Sequence, residues 1–111
     1  MTPKQIVTLQ IEAYNNRDLE GNIALFSDDF KIINFADGNV LVDGKEAVRE
    51  MYTSLFANSP KLFAEVIAII NYENKVILHE YVFGRNGSDE KLEQLIIFEI
   101  CNEKIEKIYK L

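Results

Sequence analysis

His79-Glu80 is the one place in this chain where a histidine stands beside a carboxylate, and it sits in mid-run among apolar residues. A histidine and a glutamate are the side chains most suited to moving a proton near neutral pH. In an extended strand, however, successive side chains point to opposite faces, so the two cannot act as a facing acid/base pair. Only one of them can enter an interior pocket. Glu80 inside would have its pKa raised by desolvation and become a general acid or base. It would equally serve as pocket wall, hydrogen-bonded to Gln94 or Tyr52. His79 would then stand on the outer face. Asn34 is a second candidate, able either to hydrogen-bond a ligand or to satisfy backbone beside the Asp37-Gly38 turn. Tyr14, Tyr52, Phe56 and Phe98 could form an aromatic wall, the usual lining of a small-molecule site, although aromatics at such spacing also serve as plain core.

Other chemistries find no footing. One histidine and one cysteine, with no paired ligand spacing, do not make a metal site, and none is expected. Glycine-rich phosphate loops are missing, so no nucleotide or other cofactor is expected. No serine lies in a nucleophile-elbow context. Cys101, at the end of an apolar run, is expected to be buried and inert.

These residues belong to a chain of 111 residues, read as a single domain over 1–111. Apolar residues at 48% and charged ones at 27% exclude a disordered chain. Twelve Lys and Arg against 18 Asp and Glu leave a net charge of −6, with no basic stripe, so no nucleic-acid partner is expected. No apolar run is long enough to span a membrane, and no membrane partner is expected. The unpaired cysteine and the lack of a signal-like start point to a cytoplasmic protein.

The elements that must position the candidates follow from local signals. Thr2-Pro3-Lys4-Gln5 is a capping box with proline at the first helical position, opening a helix that places Ile6, Leu9, Gln10, Ala13 and Tyr14 on one face. Asp18 caps a short second helix that turns Ile23 and Phe26 inward and ends at Ser27-Asp28-Asp29. Phe30 to Phe35 reads as a strand, and Asp37-Gly38 as a type I′ hairpin into Val40-Leu41-Val42. Asp43 and Glu46 suggest another capping box, opening a helix with Ala47, Val48, Met51, Tyr52, Leu55 and Phe56 at helical spacing and stopping before Ser59-Pro60. Strands are predicted over Leu62–Ile70, Lys75–Gly84, Leu92–Cys101 and Ile105–Leu111, with turns near Glu73-Asn74, Asn86-Gly87-Ser88 and Asn102-Glu103. The pattern is α+β.

In the two central strand segments both faces are apolar: Val76, Leu78 and Val82 alternate with Ile77, Tyr81 and Phe83, and Leu95 and Ile97 with Ile96, Phe98 and Ile100. A sheet with one wet face should alternate apolar with polar. Helices can cover one face of such a sheet, and a second copy of the chain is the economical cover for the other. A homodimer through the outer face of the sheet is therefore expected.

The order of these parts resembles the nuclear transport factor 2-like superfamily, in its SnoaL-like and ketosteroid-isomerase-like branch. The residues carrying the likeness are Tyr14 to Gly21 (Tyr-Asn-Asn-Arg-Asp-Leu-Glu-Gly), Ala24 to Phe30 (Ala-Leu-Phe-Ser-Asp-Asp-Phe), Gly44 to Tyr52 and the closing Glu103-Lys104-Ile105. The resemblance implies a cone-shaped, cystatin-like fold: three N-terminal helices on a strongly bent, mixed, mostly antiparallel sheet, with a pocket between them and homodimers as the usual assembly. The superfamily includes isomerases, dehydratases, cyclases and binding proteins, so fold alone settles no function. The isomerases use a carboxylate base with a tyrosine and a protonated aspartic acid as oxyanion hole. Carried over by the same landmarks, these positions fall at Asn34, Gln10 and near Ile96, none of which can do that chemistry. Phe26 and Tyr52 stand where the isomerases have pocket aromatics.

The expectation is therefore a cone that binds a small, mostly apolar organic molecule, with Phe26, Tyr52, Phe56 and Phe98 as wall and Gln10, Asn34, Glu80 and Gln94 orienting polar atoms. One alternative is an isomerase, cyclase or dehydratase using Glu80. Another is a dimeric interaction module whose cone is filled by its own side chains.

Overall fold

The computed structural model describes all residues, 1–111. Helix α1 (Pro3–Asn15) starts as its sequence dictates: the Thr2 hydroxyl accepts from the Gln5 N–H at 3.1 Å, and the Gln5 side chain accepts from the Thr2 N–H at 2.8 Å. Its buried stripe is Ile6, Val7, Gln10, Ala13 and Tyr14. Leu9, expected on that stripe, is 40% exposed, because Val7 takes the inner position beside Ile6. Helix α2 (Leu19–Ile23) is capped by Asp18, whose carboxylate accepts from the Gly21 N–H at 3.0 Å.

Strand β1 (Phe26–Asn34) begins earlier than its sequence suggests. Ser27-Asp28-Asp29 does not terminate a helix. It forms a bulged stretch of β1, where pairing jumps from Phe26↔Ile105 to Lys31↔Lys107. A bulge leaves the extra residues unpaired and turned outward, which suits two aspartates. The connection to β2 (Val40–Asp43) spans Phe35–Asn39 and is not a two-residue type I′ hairpin. Type I′ needs positive φ at both central residues, and only Gly38, at 74°, has it. The Asp37 carboxylate instead accepts from the Asn39 N–H at 2.9 Å.

Helix α3 (Lys45–Asn58) lacks the anticipated capping box. Gly44, at φ 95°, is the cap residue, and Asp43 stays in β2, its carboxylate 3.4 Å from the Lys31 ammonium. The Gly44 N–H donates to the Phe30 carbonyl at 2.7 Å, tying the start of α3 to β1.

Strands β3 (Phe63–Tyr72), β4 (Lys75–Phe83), β5 (Leu92–Cys101) and β6 (Lys104–Lys110) complete a six-stranded sheet of order β2-β1-β6-β5-β4-β3. Only β1 and β6 run parallel. The three helices and the inner sheet face enclose one apolar core, including Ile6, Val48, Phe30, Leu78, Val82, Phe98 and Ile105. The fold is α+β, as expected. Cys101 is exposed, contrary to expectation, because it closes β5 immediately before a turn in which Asn102 and Glu103 both take positive φ. Glu106 beside it raises its thiol pKa, so it is exposed without being activated.

Candidate functional site

Helices and sheet do not close completely. Between α1, α3 and the inner sheet face lies a cavity of about 370 Å³, a ligand-sized space, with the exposed residues Ser54 and Asn86 at its edge. Its apolar wall comes from Ile11 and Tyr14 of α1, Met51, Tyr52 and Leu55 of α3, Ile32 of β1, Ala64 of β3, Ile96 and Phe98 of β5, and Ile108 of β6. Its polar lining is Gln10, Glu80, Arg85, Gln94 and Lys110.

Pairing in the sheet explains how the polar groups converge. Glu80 of β4 lies directly across from Gln94 of β5, and Ile96 of β5 across from Lys110 of β6. Directly opposed residues share a face, so Glu80, Gln94 and Lys110 all project into the cone. Val76, Leu78 and Val82 share the buried side of β4 with Glu80. His79 points the other way, and its Nε2 lies 2.8 Å from a carboxylate oxygen of Glu93 on the outer face.

Arg85 arrives by a different route. After β4 the chain turns through Gly84 at φ 74°, Asn86 at φ 52° and Gly87 at φ 76°. The Asn86 N–H donates to the buried Ser59 hydroxyl at 2.8 Å, which anchors the turn to the end of α3. A Cβ on Gly84 would come within 2.5 Å of the Lys61 carbonyl oxygen, so the close approach requires glycine. The outcome is a guanidinium delivered to the cavity with its Nε buried and unpartnered.

The electrostatics follow from burial. Desolvation lifts the Glu80 carboxyl to about 7, although Arg85 and Lys110 pull the other way. Burial, and the nearby Arg85 charge, hold the Lys110 ammonium below its ordinary value. Burial raises the phenol pKa values of Tyr14 and Tyr52. The Tyr14 hydroxyl is buried with no hydrogen-bond partner. Gln10 is committed elsewhere, donating to Asn22 Oδ1 at 3.0 Å within the helical layer.

Of the nine residues expected at the pocket, Gln10, Tyr14, Tyr52, Glu80, Gln94 and Phe98 line the cavity. Phe26, Phe56 and Asn34 do not. Phe26 belongs to β1 and packs under the cavity, 4.6 Å from the Phe30 ring centroid and 5.8 Å from that of Tyr52. Phe56 backs the wall, with centroids 5.9 Å from Tyr14 and 5.6 Å from Tyr52. Asn34 lies beside Lys110 at the far end of β1, and Ile32, two residues earlier on the same face, takes the wall position. Arg85 and Lys110 are the charged lining residues that the sequence did not announce. One sits in a turn signalled by Asn86-Gly87, the other at the last position of the last strand. Only strand alternation, extended to the end of β6, could have pointed to Lys110.

No three His, Cys, Asp or Glu side chains gather in a way that could hold a metal ion, and no helix is long and apolar enough to cross a membrane.

Comparison with known proteins places this architecture. An uncharacterized cystatin fold protein from Novosphingobium aromaticivorans superposes with a TM-score of 0.90 at 22% identity, covering 100% of this chain and 98% of that one. A SnoaL-like protein of unknown function from Burkholderia thailandensis gives 0.77 at 21% identity, covering 98% and 92%. A proposed polyketide cyclase from Sinorhizobium meliloti gives 0.80 at 17% identity, covering 96% and 94%. At these identities the likeness is one of fold. No curated protein matches the chain. The sequence profile of the SnoaL-like domain family matches residues 7–108. The chain thus belongs to the SnoaL-like domain family.

Proposed function

We propose that this protein binds a small, mostly apolar organic molecule in the cone. The observation that carries the reading is the cavity of about 370 Å³, apolar along most of its wall, in which the side chains of Glu80, Arg85, Gln94 and Lys110 make no hydrogen bond to one another. A core packed only for stability would be filled and its polar groups satisfied. The same cavity argues against a cone filled by its own side chains. Thermal unfolding against a library of apolar acids, ketones and fused-ring compounds tests it. A ligand of the folded state raises Tm in proportion to the logarithm of its concentration. A library covering those classes that leaves Tm unmoved overturns the reading.

Catalysis is the second reading, favoured by Glu80. A carboxyl at about 7 in a cavity is poised to take and return a proton, and the Sinorhizobium relative is a proposed polyketide cyclase. On this reading Glu80→Gln lowers turnover of a bound substrate by about 100-fold or more while substrate still binds. Equal turnover in that variant removes Glu80 from any catalytic role.

Association through the outer face of the sheet belongs to the same proposal. Ile70, Ile77, Ile97 and Tyr109 pair in one row straight across β3, β4, β5 and β6. Ile70 is 56% exposed, and the neighbouring Leu95 is 41% exposed. A contiguous apolar row partly open to water favours a second copy as its cover. The unpaired cysteine fits a cytoplasmic setting.

A further inference from the structure

We infer that the ligand is an organic anion, an apolar body carrying one carboxylate or similarly charged head group, held at the polar end of the cavity by Arg85 and Lys110. The inference rests on the binding reading above and names the class of molecule bound.

The charge balance of the cavity carries the argument. Two cations, Arg85 and Lys110, face a single carboxylate, Glu80, across the lining. None of the three takes part in any ion pair of the molecule: every such pair lies among other residues. The cavity therefore holds excess positive charge even with Glu80 ionised, in a chain whose net charge is −6. Arg85 and Lys110 are half-buried, and charges withdrawn from water are ordinarily paired. The Arg85 Nε is buried and donates to nothing, although the guanidinium stands near the Tyr14 hydroxyl. A planar anion accepting from the guanidinium would satisfy both the charge and the donor, because the guanidinium fork matches a carboxylate.

The protein also fixes where these two cations stand. Strand pairing puts Lys110 beside Ile96, and the Ser59-anchored turn holds Arg85 in place. Burial and mutual repulsion already depress the Lys110 ammonium. A neutral apolar ligand would relieve none of this.

Two dyes separate the possibilities: 8-anilinonaphthalene-1-sulfonate, and N-phenyl-1-naphthylamine, the same rings without the sulfonate. Each is titrated by fluorescence into the purified protein at neutral pH and about 0.15 M salt, where exposed charges are largely screened. The sulfonate is expected to bind at least about ten-fold more tightly than the neutral dye. Arg85→Gln and Lys110→Gln should each loosen the sulfonate by about ten-fold and leave the neutral dye within about two-fold. Arg85→Lys should restore part of the loss, and Lys107→Gln, a cation on the outer face, should change neither dye. Equal affinity for the two dyes, or a sulfonate affinity indifferent to both substitutions, overturns the anion and leaves the binding cone standing. Binding of neither dye overturns both. The comparison on the unmodified protein holds even where a substitution impairs folding.

Discussion

Glu80 is the residue whose chemistry is most altered by the fold. Its carboxyl rises from an ordinary 4.5 to about 7 because burial penalises the charged form more than Arg85 and Lys110 favour it. A folded-state pKa above the unfolded one means that the folded state holds its proton more tightly. The associated stability is fully present below about 4.5 and is lost as pH rises through about 7. The cost of ionised Glu80 at pH 8 is at most on the order of 3 kcal/mol. Glu80→Gln, which keeps shape but cannot ionise, should therefore be more stable than the parent at pH 8 and no more stable at pH 4. Urea unfolding of both proteins across that range checks this. A stability difference that stays constant with pH would mean that Glu80 ionises freely in the fold. At this scale the sequence was partly legible. Strand alternation separated His79 from Glu80 without deciding which of them faces inward, whereas Arg85 sat unnoticed because a turn has no periodicity to read.

At the scale of elements, the connection between α1 and α2 does more than reverse the chain. The Asn15 side chain donates to the Ala64 carbonyl at 3.1 Å and accepts from the Ala64 N–H at 2.7 Å, pairing with β3 as a neighbouring strand would. Arg17, at φ 52°, donates to the Leu62 carbonyl at 2.9 Å. Together they fasten the helical layer to the start of β3 and so set one wall of the cone. Asn15→Ala removes both bonds to partly buried backbone and should cost about 2 kcal/mol, lowering Tm by roughly 8 °C. A fall of less than about 2 °C would show that water replaces the side chain at no loss. The Asn15-Asn16-Arg17-Asp18 segment was conspicuous in sequence as a helix boundary. Its grip on β3 was not, since Ala64 lies 49 residues away.

The whole molecule presents two apolar surfaces to two sides of one sheet. The inner one is covered by helices except at the cavity. In the outer row of Ile70, Ile77, Ile97 and Tyr109, Ile70 is exposed and the other three are half-buried. Sedimentation should therefore give the mass of two chains, and Ile97→Lys, which places a charge mid-row, should shift the population to single chains without unfolding them. A parent protein that sediments as one chain at all concentrations ends the proposal of a homodimer.

What the sequence determined by itself is local or periodic: the Thr2 and Asp18 caps, the stripe of α3, the two-faced character of β4 and β5, and hence the α+β order of elements. Those features depend on residues within a turn or a strand of one another. Where Phe26, Phe56 and Asn34 stand relative to the cavity depended instead on a bulge in β1 and on how α3 packs against α1. The convergence of Glu80, Arg85 and Lys110 depended on the register of β4, β5 and β6 and on a turn anchored to Ser59. Long-range pairing of that kind is decided by how the whole core packs, and no short window of sequence carries it.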